Sequence, residues 1–198
     1  LLSARDLDVI VVGGGDTGND CVGTALRQGC RSLMELELLP APPCNRRADN
    51  PWPLWPRVFR TDYGQEEAGS VYGQDPRLFE TTVTQVHLNP AGRIEAVTLA
   101  KVENEQGRLS PVAGTERTVP CQLLLIAAGF IGCDPDTAAA FGLTLNRRGL
   151  PVAETGHRIS DRLFAAGDML TGQSLVVRAM ADGCRAAEEV HSALSSLP

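Results

Sequence analysis

The chain has 198 residues, 43% hydrophobic and 21% charged, and 18 Lys and Arg against 24 Asp and Glu leave a formal charge of −6. At about 150 residues per domain this is one large domain, or one domain with part of another, and it can bury a core without disulfide staples. The acidic balance argues against nucleic acid or an anionic membrane as partner, and the longest apolar run, Leu123 to Ile131, is too short to span a bilayer.

Glycine is over-represented, 20 residues of 198, where roughly 7% is usual. Many of these glycines fall at points where an element ends. Asp8 to Val12 is a short β-branched run of the kind buried on both faces of a parallel sheet. It meets Gly13-Gly14-Gly15-Asp16-Thr17-Gly18, and then a helix whose Val22, Ala25 and Leu26 share a face and which Gly29 stops. Arg31 to Leu38 predicts a second strand. Strand, Gly-x-Gly-x-x-Gly, helix, strand is the dinucleotide-binding unit. Gly13 permits the tight turn, Gly15 lets backbone approach a pyrophosphate, and Gly18 lets helix and strand pack closely; the helix N-terminus offers its free amides to phosphate. A carboxylate beside a pyrophosphate repels it, so two readings of Asp16 stay open: it is counted with the cofactor-binding residues of the turn, or it caps its own helix and points away.

The nucleotide's identity is left open by two opposed signals. Glu35 and Glu37 share parity on the second strand, and Glu37, nearer its end, suits ribose hydroxyls and hence NAD(H). Arg46 and Arg47 follow shortly, and their guanidinium groups suit a 2′-phosphate and hence NADP(H). Both arginines lie in Pro40 to Pro56, which holds six prolines and both tryptophans and can form neither helix nor central strand. It is expected to be an ordered loop near the adenosine end of the cofactor or a partner surface.

Tyr63 to Tyr72 reads as a short helix. Neither tyrosine is followed four places on by lysine, so the Tyr-x-x-x-Lys proton-donor unit of short-chain dehydrogenases is absent. Phe79 to Leu88 and Ile94 to Val102 predict strands around the turn Asn89-Pro90-Ala91-Gly92. With a third strand before Pro120 they make a β-meander that crosses over to Leu123–Gly129, a strand expected to be fully buried. Phe164 to Asp168 predicts another strand, ending in Gly167-Asp168. A helix from Gln173 to Leu194 follows, with Leu175, Ala179, Gly183, Ala186, Val190 and Leu194 as its inward stripe. Asp168 then stands where ligands of open α/β sheets sit, able to accept from a hydroxyl chain or, more plainly, to cap a helix.

Six cysteines are scattered with no Cys-x-x-Cys pair, and the three histidines lie near none of them. No metal site is expected, and free thiols suit the cytoplasm. No side chain stands out as a catalytic acid or base.

These motifs together resemble the two-dinucleotide flavoprotein reductases. Gly13 to Gly18 looks like the turn of their pyridine-nucleotide domain, and Ala127-Ala128-Gly129-Phe130 resembles the return to the FAD domain. Ala165-Ala166-Gly167-Asp168 resembles the second FAD fingerprint, whose aspartate holds the ribitol chain, while Gln173-Ser174-Leu175 sets a helix N-terminus by the flavin pyrimidine. Asp49-Asn50-Pro51-Trp52-Pro53, Asp62-Tyr63-Gly64-Gln65-Glu66-Glu67 and Ala165 to Val177 are similar to the small (β) subunit of glutamate synthase, a likeness covering nearly the whole chain. The resemblance implies hydride transfer from NADPH, or NADH in some members, to FAD. Electrons then pass through iron–sulfur clusters to FMN on the large subunit, where 2-oxoglutarate and ammonia from glutamine give glutamate.

The implied fold is α/β, a Rossmann-like parallel sheet with a three-stranded meander crossover, plus the C-terminal part of an FAD domain. Residues 1–128 would be the NAD(P)H-binding domain and 129–198 the end of the FAD domain. The family's cysteine-rich segment and first FAD Gly-x-Gly-x-x-Gly do not occur in this sequence, so it is expected to be a C-terminal fragment. Expected partners are a nicotinamide nucleotide, the large subunit and, as an open alternative, a second copy in a homo-oligomer. Two other functions stay open: a nucleotide-binding module without catalysis, and a related NAD(P)H-dependent flavin reductase. A stand-alone thioredoxin reductase is disfavoured by the missing Cys-x-x-Cys.

Overall fold

The computed structural model describes residues 2–105 and 107–196, and the chain divides into two compact units, one ending at Gly129 and the other beginning at Phe130. The first is built on β1 (Asp8–Val12), α1 (Asp16–Arg27) and β2 (Ser32–Leu36), the strand–helix–strand unit the sequence pattern predicts, with β2 shorter at both ends than expected. A four-stranded parallel sheet forms in the order β3-β2-β1-β8, where β3 is Arg77–Leu78 and β8 is Leu123–Ile126.

The alternation along β1 explains why it is apolar throughout. Val9 and Val11 pack with Val22 and Ala25 of α1 on one face, whereas Ile10 packs with Leu36, Val97, Leu99 and Cys121 on the other. Burying each such side chain contributes roughly 1.5–3 kcal/mol, so both coverings matter to the sheet. α2 (Tyr63–Tyr72) lies against α1, where Gly23 and Gly64 bring the helices close; a Cβ on Gly23 would sit 2.9 Å from Tyr63 Cε2. α2 starts with a full capping box, in which Asp62 accepts from backbone and the Gln65 side chain accepts from Asp62 N at 3.0 Å.

The other face of the sheet is covered by antiparallel strands: β4 (Thr81–Leu88), β5 (Ile94–Glu105), β6 (Arg108–Pro111) and β7 (Arg117–Pro120). The expected three-stranded meander therefore has four strands. β5 is long enough to pair twice along one edge, with β7 through Ala96–Leu99 and with β6 through Val102–Glu105, while β4 takes the opposite edge. β8 is half-buried with Ile126 70% exposed, against the expectation of a fully buried strand, because it is an edge of the parallel sheet.

The second unit contains α3 (Pro135–Ala140), the hairpin β9 (Arg158–Ser160) and β10 (Leu163–Phe164), the short α4 (Asp168–Thr171) and α5 (Val176–Ser195). The strand expected over Phe164 to Asp168 is reduced to Leu163–Phe164, paired with β9; Gly167 (φ 62°) turns the chain straight into α4. The predicted inward stripe of α5 is covered only in part. Ala186 is buried and Ala179, Gly183 and Val190 are half-buried, but Leu175 and Leu194 are exposed, with Val176, Val177 and Met180 beside Leu175. No helix among the described residues is long and apolar enough to cross a membrane, and all six cysteines are free.

Candidate functional sites

The glycine turn has the construction a phosphate cradle requires. Gly13 has φ 112°, and a Cβ there would collide with the Ala127 carbonyl; one on Gly18 would collide with the Gly13 carbonyl and lie 2.8 Å from Glu35 Oε1. Gly15 differs: a Cβ on it would meet nothing within 4 Å, so its surface is free for a ligand. Gly15 is the N-cap of α1, and no side chain caps the helix, which leaves its first-turn amides available to an anion. Asp16 does not cap the helix, so that alternative falls away. It occupies the first turn, exposed, where a carboxylate complements the helix dipole.

The two strand carboxylates have separate duties despite their shared parity. Glu37 lies beside the turn and accepts from Gly14 N at 3.0 Å and Leu39 N at 3.3 Å. Glu35 is wholly buried, accepts from Gln65 Nε2 at 2.9 Å through Oε2, and leaves Oε1 without a partner among the described residues. Burial pushes its pKa up, outweighing the Gln65 bond and Arg77, which pull it down. Asn19 completes this layer. Its Oδ1 accepts from Gly64 N (2.9 Å) and Gln65 N (3.2 Å), tying the start of α2 to the first turns of α1.

A cavity of about 460 Å³ opens over the turn, lined by Gly14, Gly15, Asp16, Asn19, Trp55, Arg60, Thr61, Asp62, Gln65 and Arg77. Neither of the expected arginines is among these. Arg46 is spent inside its own loop, where Nη1 donates to the carbonyls of Asn50 (3.0 Å) and Leu54 (2.8 Å); Arg47 is exposed. The buried Asn50 closes the same loop by donating to Trp55 O and accepting from Arg57 N. Of the two cavity arginines, Arg77 is held by Asp75 in a two-pronged pair and by Arg60 O, and its guanidinium stacks on Phe59. Arg60 makes no ion pair among the described residues and lies over the Trp55 ring at 4.9 Å. Sequence reasoning missed Arg60, Arg77, Asn19 and Gln65. Asp62-x-x-Gln65 was a readable capping signal, but nothing local marks Arg60. Thr17 lines a separate apolar cavity between α1 and β8, with Cys21, Leu123 and Leu125.

The second unit holds a cavity of about 600 Å³ lined by Phe130, Gly132, Cys133, Arg148, Leu150, Asp168, Met169, Gly172 and Gln173. Asp168 and Gln173, expected at a flavin site, meet here. Asp168 Oδ1 accepts from Ser174 N at 3.1 Å and lies 3.4 Å from Ser174 Oγ, so the carboxylate also closes the link between α4 and α5. Leu175 is the N-cap of α5, which has no side-chain cap. Gly129 (φ 85°) ends the first unit, and Gly167 N donates to Asp182. Among the described residues no group of three or more His, Cys, Asp and Glu could hold a metal ion.

The architecture has clear relatives among solved structures. Thioredoxin reductase from T. acidophilum matches 97% of this chain at TM-score 0.64 with 18% identity over 54% of its own length. FprA from Mycobacterium tuberculosis in complex with NADPH matches 98% at TM-score 0.62 with 15% identity, also over 54%. The fold is that of the thioredoxin reductase-like flavin and pyridine-nucleotide oxidoreductases. No protein-family model matches the chain.

Sequence relatives are more particular. The chain is 39% identical over 198 residues to Glutamate synthase [NADH] of Schizosaccharomyces pombe, a match covering 96% of this chain and 9% of that protein. It is 38% identical over 195 residues to the Glutamate synthase [NADPH] small chain of Bacillus subtilis and 34% over 204 residues to that of Mycobacterium tuberculosis, spanning 40% of each. Nearly the whole chain is thus similar in sequence to the glutamate synthase small subunit, of which it spans less than half the length.

Proposed function

We propose that the chain is the electron-input part of a glutamate synthase small subunit. Its first unit would bind NADPH or NADH, and its second would supply one side of an FAD site. The whole subunit would pass reducing equivalents from the nicotinamide nucleotide to FAD and on to a glutamate synthase large subunit for glutamate formation. The observation that carries this reading is the uncapped α1 N-terminus over Gly15, opening on a cavity with a free guanidinium, Arg60.

The residues fit both cofactors to different extents. The turn leaves open space only at Gly15, where a diphosphate would rest on the α1 amides. In the second unit Asp168, Gln173 and Arg148 offer polar groups on a roomy, half-apolar cavity, enough for the ribityl and pyrimidine end of a flavin. FAD supplies hydride acceptance and one-electron transfer when bound; this chain's residues bind and orient. A cytoplasmic setting, suggested by the six free thiols, is part of the same reading.

The test has two arms. The chain should bind NADPH in a titration followed by tryptophan fluorescence, and the full-length subunit should carry a yellow flavin that NADPH bleaches without oxygen. A colourless full-length subunit that binds nucleotide would leave only a nucleotide-binding module.

A further inference from the structure

His157 is one of the most tightly engaged side chains of the second unit, and neither cofactor reading uses it. It is 6% exposed and stands between two carboxylates of α5 that lie two helical turns apart on one face. Its Nδ1 is 2.7 Å from Glu189 Oε1, its Nε2 is 3.2 Å from Asp182 Oδ1, and its backbone amide donates to Glu189 Oε2 at 2.8 Å. A neutral imidazole has one donor nitrogen, so only the doubly protonated ring satisfies both carboxylates. The Glu189 bond, then that to Asp182, accordingly raise the pKa of His157 against the opposing effect of burial.

Asp182, also 6% exposed, is the hub of this arrangement. Arg185 Nη2 donates to its Oδ1 at 2.8 Å, and Gly167 N donates to its Oδ2 at 2.8 Å. The charged groups around the ring are thus Asp182, Glu189 and Arg185 from α5; on its own hairpin, Arg158 is turned to Asp161. With His157 protonated the two cations balance the two anions. With it neutral, Arg185 still compensates the buried Asp182, but the half-exposed Glu189 loses its cation and the ring can donate to only one of the two carboxylates.

The network holds the backbone just before Asp168 at two points. Ala165 N donates to His157 O at 2.9 Å, and Gly167 N to Asp182. Gly167 itself has φ 62° and ψ −144°, a conformation essentially reserved for glycine and held only where the surroundings over-determine it. We propose that His157 and Asp182 are positioning residues which lock the Gly167 turn and thereby place the Asp168 carboxylate on its cavity. The turn-setting role stands on this geometry; its consequence for cofactor rests on the flavin reading of that cavity.

The experiment is amide NMR on the ¹⁵N-labelled chain with Asp182→Asn, Asp182→Glu and His157→Gln. In the wild type the Gly167 and Asp168 amide resonances should titrate together with the His157 ring, with a midpoint above the ordinary value of about 6.5, and His157→Gln should abolish that titration. Gly167 amide exchange should quicken about tenfold or more in Asp182→Asn, as befits a charged hydrogen bond replaced by a neutral one, with Asp182→Glu restoring part of the protection. Gly167 and Asp168 resonances indifferent to the His157 titration would overturn the proposal, and His157→Gln decides this even if Asp182→Asn does not fold. A second readout separates the two layers. FAD affinity of the full-length subunit reduced about tenfold in His157→Gln, with NADPH affinity intact, supports the full proposal. The NMR changes without any change in FAD affinity would keep the turn-setting role and sink the assignment of Asp168 to flavin.

Discussion

The sharpest test of the nucleotide site is a pair of alanine substitutions three residues apart. Gly15→Ala adds a methyl where nothing of the protein lies within 4 Å and where φ is −83°, allowed to any residue. At an N-cap Ala is less favourable than Gly by up to about 1 kcal/mol, and the reduced freedom of the unfolded chain returns about 0.4–1 kcal/mol, so the net stability should change little. A ligand resting on that backbone would meet the methyl, an overpacking of about 1–3 kcal/mol, or roughly 5- to 150-fold in Kd. Gly18→Ala puts its methyl into the Gly13 carbonyl and 2.8 Å from Glu35 Oε1, both rigidly held, so it should cost about 1–3 kcal/mol of stability. In a chain of this size each kcal/mol moves the melting midpoint by about 2–4 °C. Calorimetric titration with NADPH and thermal melts by circular dichroism read the two quantities separately. Gly15→Ala should keep its midpoint and lose affinity, whereas Gly18→Ala should lose both. If Gly15→Ala binds NADPH like the wild type, the pyrophosphate does not lie on this turn.

Two further predictions concern charged side chains. Arg60→Ala should weaken 2′-phosphorylated nucleotide more than its unphosphorylated counterpart, whereas Arg46→Ala should lower the melting midpoint and affect NADPH and NADH alike, because Arg46 bonds only loop carbonyls; competitive titration with both nucleotides distinguishes them, and a selective NADPH loss in Arg46→Ala would refute the assignment. Glu35 has its folded pKa raised by burial, so the protein loses stability as pH climbs from the unfolded carboxylate's value through the folded one. Glu35→Gln removes that loss and should gain on the wild type as pH rises from 4 to 8 in urea melts; a gap that shrinks with pH would mean that Glu35 is ionised in the fold.

What could be read from the sequence divides by the range of the forces involved. The strand, turn and helix from Asp8 to Arg27 rest on neighbours a few residues apart, and the turn's steric demands are written in Gly13 and Gly18 themselves. The limits of α2 were legible for the same reason, since Asp62 and Gln65 satisfy each other's amides. Strand parity treats Glu35 and Glu37 alike, but β2 ends at Leu36 and depth is set by what arrives from elsewhere. Gln65 and Arg77 come over Glu35 and bury it, while Glu37 stays at the strand end and takes the Gly14 amide.

The same reasoning explains why Arg46 and Arg47 lie outside the cavity lining. Arg46 follows β2 more closely in sequence, yet the proline-rich loop folds back on itself through Asn50 and consumes it. The chain then returns to the turn at Arg60, because the cap of α2 at Asp62 is pinned beside Asn19. A loop of this length carries no period or motif from which that return could be inferred. His157 and Asp182 were invisible on similar grounds, being an isolated histidine and an aspartate on a helix 25 residues later. Their meaning arises only when the β9 hairpin and α5 pack, and then two side chains with no motif of their own fix the glycine turn that a motif had flagged.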